Sequence, residues 1–218
     1  MARTIAITNQ KGGVGKTTTS VNLAASFAAA KRRVLLIDLD PQGNATMGSG
    51  LDKRSLAKSS YELLLHQAAP QAIMQRVDSV GYWVIGTNSD LTGAEVALME
   101  EIGREVRLRS ALETLQDRFD YILIDCPPSL NILTVNALVA ADTVIIPMQC
   151  EHYALEGLSA LVDTVEKIRR LLNPNLRIKG LLRTMYDPRN NLATQVSQQL
   201  IKHFGDRVYH TVIPRNVR

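Results

Sequence analysis

Residues 4–8, Thr-Ile-Ala-Ile-Thr, run into Lys11-Gly-Gly-Val-Gly-Lys16-Thr17-Thr18, and an Ala-rich stretch follows over 17–30. An apolar strand, a glycine loop and a helix opening on Gly-Lys-Thr leave few folds available. The strand belongs inside a sheet, the helix packs back across it, and the loop between them turns backbone N–H groups toward an anion at a helix N-terminus. Glycines let that main chain approach phosphate without a side-chain clash. Lys11, Gly12, Gly13, Val14, Gly15, Lys16, Thr17 and Thr18 are therefore the expected phosphate cradle. Lys16 is suited to neutralise the β- and γ-phosphates of a nucleotide, and the Thr17 hydroxyl to bind Mg²⁺.

The rest of the chain alternates in the same way. Apolar strands are expected at 33–38, 82–85, 121–125, 143–147, 178–185 and 208–213. Helices are expected at 61–66, 71–75, 94–99, 105–119, 130–140, 154–172 and 192–204, with 41–50 a polar, glycine-bearing loop. Buried runs such as Ile-Leu-Ile and Val-Ile-Ile, separated by helices, require a mainly parallel, doubly wound α/β sheet covered on both faces. With 218 residues, 45 % hydrophobic and 21 % charged, wholesale disorder is excluded. No apolar run approaches the ~18 residues of a membrane-spanning helix. Two cysteines, Cys126 and Cys150, make neither a disulfide framework nor a Cys-x-x-Cys metal site, which points to a reducing, cytoplasmic setting. We expect one domain over 1–218; no helix follows the last strand, so truncation at the C-terminus stays open.

Three acids stand at strand ends. Asp125 closes Tyr-Ile-Leu-Ile before Cys126-Pro-Pro128, where a carboxylate would hold a Mg²⁺-bound water. Asp38 and Asp40 close the second strand before Pro41. The strict phosphate-loop pattern asks for glycine five residues before Gly15, yet Gln10 stands there and a second lysine, Lys11, follows it.

That departure is the "deviant" phosphate-loop signature. With it come Thr8-Asn-Gln-Lys-Gly-Gly-Val-Gly-Lys-Thr-Thr-Thr-Ser-Val-Asn-Leu-Ala24, Asp38-Leu-Asp-Pro-Gln-Gly-Asn-Ala45, Asp125-Cys-Pro-Pro128, Glu151-His-Tyr-Ala-Leu-Glu-Gly157 and Ile213-Pro-Arg-Asn216. In this order, over essentially the whole chain, they resemble the ParA/MinD family of ATPases, most closely its chromosome- and plasmid-partitioning ParA (Soj-like) branch. The resemblance implies an ATP- and Mg²⁺-dependent P-loop ATPase. Asp40 would position the attacking water and Asp38 would support Mg²⁺. Lys11 would reach across a homodimer to the partner's nucleotide. Pro214, Arg215 and Asn216 would lie near the adenine, and Glu151 near the dimer interface.

Charge adds to this. The chain carries 25 Lys and Arg against 21 Asp and Glu, but residues 166–218 hold eleven basic residues and three acids, a net +8, leaving −4 for the rest. Such asymmetry points to an anionic partner, nucleic acid or membrane surface. The resemblance implies that Arg189 and Arg218 help bind duplex DNA without sequence preference, that a ParB-like protein triggers hydrolysis, and that the protein is cytoplasmic and nucleoid-associated with no membrane partner. The alternative is a MinD-like membrane-cycling ATPase, which needs a C-terminal amphipathic helix; no such segment follows Ile213.

Overall fold

The computed structural model describes residues 1–151 and 154–216. Strand β1 (Arg3–Ile7) leads through the glycine loop into α1 (Lys16–Ala29), followed by β2 (Val34–Asp38) and α2 (Asn44–Gly48). Then come α3 (Ser60–Leu64), α4 (Pro70–Ile73), β3 (Gln75–Val77), β4 (Tyr82–Ile85) and α5 (Leu91–Ala97). Helix α6 (Arg107–Leu112), β5 (Tyr121–Asp125), α7 (Ile132–Ala140), β6 (Thr143–Gln149) and α8 (Ala154–Leu171) make the next stretch. The chain closes with β7 (Arg177–Tyr186), α9 (Asn191–Phe204) and β8 (Val208–Pro214).

Eight strands form one sheet in the order β3-β4-β2-β5-β1-β6-β7-β8. Every pairing is parallel except β3 against β4. Helix α1 lies on one face over Ile5, Ile7, Val34, Leu36 and Leu123; the alternate residues Ala6, Leu35, Ile37, Ile122 and Ile124 face a larger core with the remaining major helices. Period-two strands with both faces apolar thus become the middle layer of a doubly wound α/β fold, as the alternation requires. Registers Ile7↔Asp125 and Asp38↔Asp125 bring the carboxyl ends of β1, β2 and β5 level, so the phosphate loop and the strand-end acids share one rim.

Three expectations need correction. The loop expected over 41–50 contains α2, because Asp38 on the preceding strand accepts from Thr46 N and Oγ1 at 2.8 and 2.7 Å and nucleates the turn from outside. The helix expected over 105–119 is broken into a 3₁₀ turn at Arg104–Val106, α6, and a second 3₁₀ turn at Glu113–Leu115. Asn136 of α7 intrudes there, accepting from Leu108 N and donating to Arg104 O. The helix expected over 71–75 ends at Ile73, and Gln75 instead opens the short edge strand β3.

Candidate functional site

The cradle is built by local chain geometry. Gly13 and Gly15 have φ of +72° and +87°, which L side chains resist. Gly12 does not need glycine for its backbone, and a Cβ there would meet nothing within 4 Å. That open space belongs to a cavity of about 1020 Å³ lined by Gly12, Gly13, Gly15 to Thr19, Asp40, Asn44, Pro128 and Thr184 among others. A volume of this size accommodates a nucleotide. Helix α1 has no side-chain N-cap and no acid in its first turn, so its first amides are left for a ligand at the positive end of the dipole. Thr184 of β7 braces the loop, donating to Val14 O at 2.7 Å.

Lys16 is 7 % exposed and donates to Lys11 O at 3.0 Å. Burial pulls its pKa down, opposed by the charges of Asp125, Cys126 and Asp40. Asp125 is fully buried and accepts from Thr17 Oγ1 and Ser20 Oγ, each at 2.8 Å. Burial pushes its carboxyl up to about 6, although both hydroxyls and Lys16 pull the other way. Asp38, on the neighbouring strand, is pushed up to about 7 by burial and by Asp125. Its oxygens are engaged by Asp40 N and by Thr46. Asp40 lies on the cavity wall, where its Oδ1 accepts from Gln42 N at 3.0 Å. Lys53 Nζ donates to Gln42 O at 2.5 Å and ties down the loop that carries Asp40.

Lys16, Thr17, Asp38, Asp40 and Asp125 are therefore gathered at one rim. Among the described residues no three His, Cys, Asp or Glu side chains form a metal cluster. One hydroxyl and one carboxylate meeting beside a phosphate cradle fit Mg²⁺, which takes few protein ligands and completes its shell with phosphate and water. Ile213 lines the cavity, and Pro214 follows it, in register with Tyr186. Arg215 N donates to Tyr186 O at 3.4 Å, so the expected adenine segment leaves from that rim. Lys11 does not point its ammonium at Lys16's site; it pairs with Glu151 at 2.5 Å. Arg189 sits in the β7–α9 loop and grips Asp187 with Nε and Nη2 at 3.0 and 2.8 Å. Arg218 lies outside the described residues.

Sequence reading missed Ser20, Thr46, Lys53 and Thr184. Ser20 was within reach, since it stands three residues after Thr17 and shares its helical face. Thr46 and Lys53 act from 8 and 11 residues away and Thr184 from 170, none of them at a motif spacing.

A family model described as an AAA domain matches residues 2–178. The Bacillus subtilis sporulation initiation inhibitor protein Soj is 54 % identical over 218 residues, covering 100 % of this chain and 86 % of the relative. The chain belongs to the ParA/MinD family of ATPases, on its Soj-like branch. A second member of the family, the chromosome partitioning protein ParA of Caulobacter vibrioides, is 50 % identical, covering 99 % of this chain and 82 % of its own. Among solved structures, a Mycobacterium smegmatis protein described as cobyrinic acid a,c-diamide synthase, with bound ADP and magnesium, aligns with a TM-score of 0.94. That match is 42 % identical and covers 99 % of this chain and 88 % of the other. The deviant loop with Lys11 and the whole doubly wound sheet are thus those of the ParA/MinD family.

Proposed function

We propose that this protein is a DNA-partitioning ATPase that binds ATP with Mg²⁺, closes into a homodimer, coats duplex DNA without sequence preference, and is released when a ParB-like partner stimulates hydrolysis. The observation that carries the reading is the convergence of Lys16, Thr17 and Asp125 on an open glycine cradle whose flanking loop presents Asp40. Lys16 neutralises the β- and γ-phosphates, and the α1 amides complete the cradle. Thr17 and Asp125 are the residues that would hold Mg²⁺, Asp125 by way of a bound water, with Asp38 supporting them from the adjacent strand end. Bound there, Mg²⁺ would offset charge on the transferred phosphoryl group. Asp40 orients the attacking water, Lys11 serves the partner's nucleotide, and Pro214, Arg215 and Asn216 flank the adenine.

The names of the relatives favour partitioning, and so does the basic excess after residue 165, which suits a nucleoid-associated protein. The membrane-cycling alternative requires an amphipathic helix with a free apolar face. The apolar stripes of α8 and α9, Leu158, Leu161, Val165 and Ile168 with Val196 and Leu200, are already packed on the sheet and are not free for a lipid surface.

Light scattering with ATP tests the cycle. Asp40→Ala should bind ATP and dimerise while turnover falls by about 100-fold, the scale of losing one well-placed reactant. Lys11→Ala should bind nucleotide and stay monomeric. A dimeric Lys11 variant, or an Asp40 variant with normal turnover, would show the roles to be misassigned.

A further inference from the structure

Lys11 is held from three sides in the free protomer. Its N–H donates to Asn9 Oδ1 at 3.0 Å, and Asn9 in turn donates to Pro147 O of β6 at 2.8 Å. Its carbonyl takes the Lys16 ammonium at 3.0 Å. Its own ammonium meets Glu151 Oε2 at 2.5 Å, across 140 residues of sequence. Glu151 is itself fixed where β6 hands over to α8, for its N–H donates to Gln149 O and its carbonyl accepts from Ala154 N. Two anchored backbones therefore present the pair, unlike most surface ion pairs, in which two long side chains must be ordered for little return.

We infer that Glu151 is a positioning residue that holds Lys11 against its own protomer and so restrains ATP-driven dimerisation. The inference rests on the dimer reading above. With Glu151 in place the Lys11 charge is neutralised close to the loop that Lys16 serves. Nucleotide entry draws Lys16 off the Lys11 carbonyl and removes one tie; the Glu151 pair persists until the partner's phosphates compete for the ammonium. Closing the dimer breaks two such pairs, one per protomer, so the effect enters twice. The side chains are 48 % and 43 % exposed, so the restraint is modest and salt-sensitive. A pair of this exposure corresponds to up to about fivefold in an equilibrium constant, hence up to about 25-fold for a dimer that breaks two.

Glu151→Gln keeps the shape and removes the charge. Sedimentation with ATP should show it dimerising more tightly than the parent, by about 2- to 25-fold at low ionic strength and by little near 1 M salt, where screening acts over ~3 Å. A second measurement needs no dimer: urea unfolding of nucleotide-free Lys11→Met, Glu151→Gln and the double variant should give a favourable coupling. A parent that dimerises while Glu151→Gln is unchanged or weaker overturns the restraint and leaves the dimer reading standing. Absence of an ATP dimer in both proteins overturns the dimer reading and the restraint with it. Zero coupling in the unfolding cycle overturns the pair itself.

Discussion

At the loop end of the sheet Lys16, Asp38, Asp40 and Asp125 are all at most 8 % exposed, whereas Arg189 in the basic C-terminal region has 87 % of its side chain in solvent. The first group is held by contacts between strand ends, helix α1 and the β7 hydroxyl of Thr184, so each charge has a fixed neighbour. The second has bulk solvent and one local acid, Asp187, whose carboxyl Arg189 holds down to about 2. Buried charges act strongly, because solvent and salt screen them little. Exposed charges act weakly, and only their number and doubling across a two-fold axis can make a footprint. The buried charges are thus concentrated at the nucleotide rim, and the DNA surface proposed for this protein would have to be collective.

The sharpest way to break that contrast is at Lys16. Lys16→Ala should lower ATP affinity by at least about 100-fold, since charge-assisted hydrogen bonds worth about 1.5–3 kcal/mol each are removed. Calorimetry showing unchanged affinity would remove the nucleotide assignment altogether.

Acid–base behaviour probes the same rim without a ligand. Asp38 and Asp125 have folded pKa values near 7 and 6, above the ordinary carboxylate value, so between about pH 4 and 7 the folded protein binds more protons than the unfolded chain. Stability of the nucleotide-free protein should therefore fall as pH rises through that window and level off above it. Each unit of displacement corresponds to about 1.4 kcal/mol, so a fall of a few kcal/mol is expected. Urea melts from pH 4.5 to 8 would check this, and a flat or rising profile contradicts the buried, unbalanced carboxylates.

The smallest effects belong to the basic surface. Arg189→Glu or Arg218→Glu should weaken DNA retention and lower the log–log salt slope by about 1 for each phosphate no longer neutralised. Arg189 should respond less than a free arginine, because Asp187 already occupies its guanidinium fork. Retention across a salt series decides it: wild-type affinity and slope in both variants would move the DNA surface elsewhere.

How much could be read beforehand follows the same division. The β1–loop–α1 unit was legible because Gly13, Gly15, Lys16 and Thr17 lie within five residues and their demands are local. The buried strands were legible because both faces are apolar. Helix α2 was hidden because the side chain that engages its first turn, Asp38, belongs to a strand and reads as an acid that supports Mg²⁺. The break in 105–119 was hidden because Leu108, Leu112 and Leu115 keep a helical stripe, while the group that interrupts the backbone, Asn136, comes from α7. Strand β3 has three residues, two of them exposed, too few to show a period. The Glu151 pair with Lys11 spans 140 residues and has no spacing to betray it.

If the protein is the DNA-partitioning ATPase proposed above, the nucleotide state of the buried rim governs the exposed basic surface. Retention of arbitrary duplex DNA, measured with ATP, with ADP and with no nucleotide at one fixed salt concentration, decides this. Retention is expected with ATP alone, equal for unrelated sequences and falling steeply as salt rises. Equal retention in all three states, or none with ATP, would contradict it.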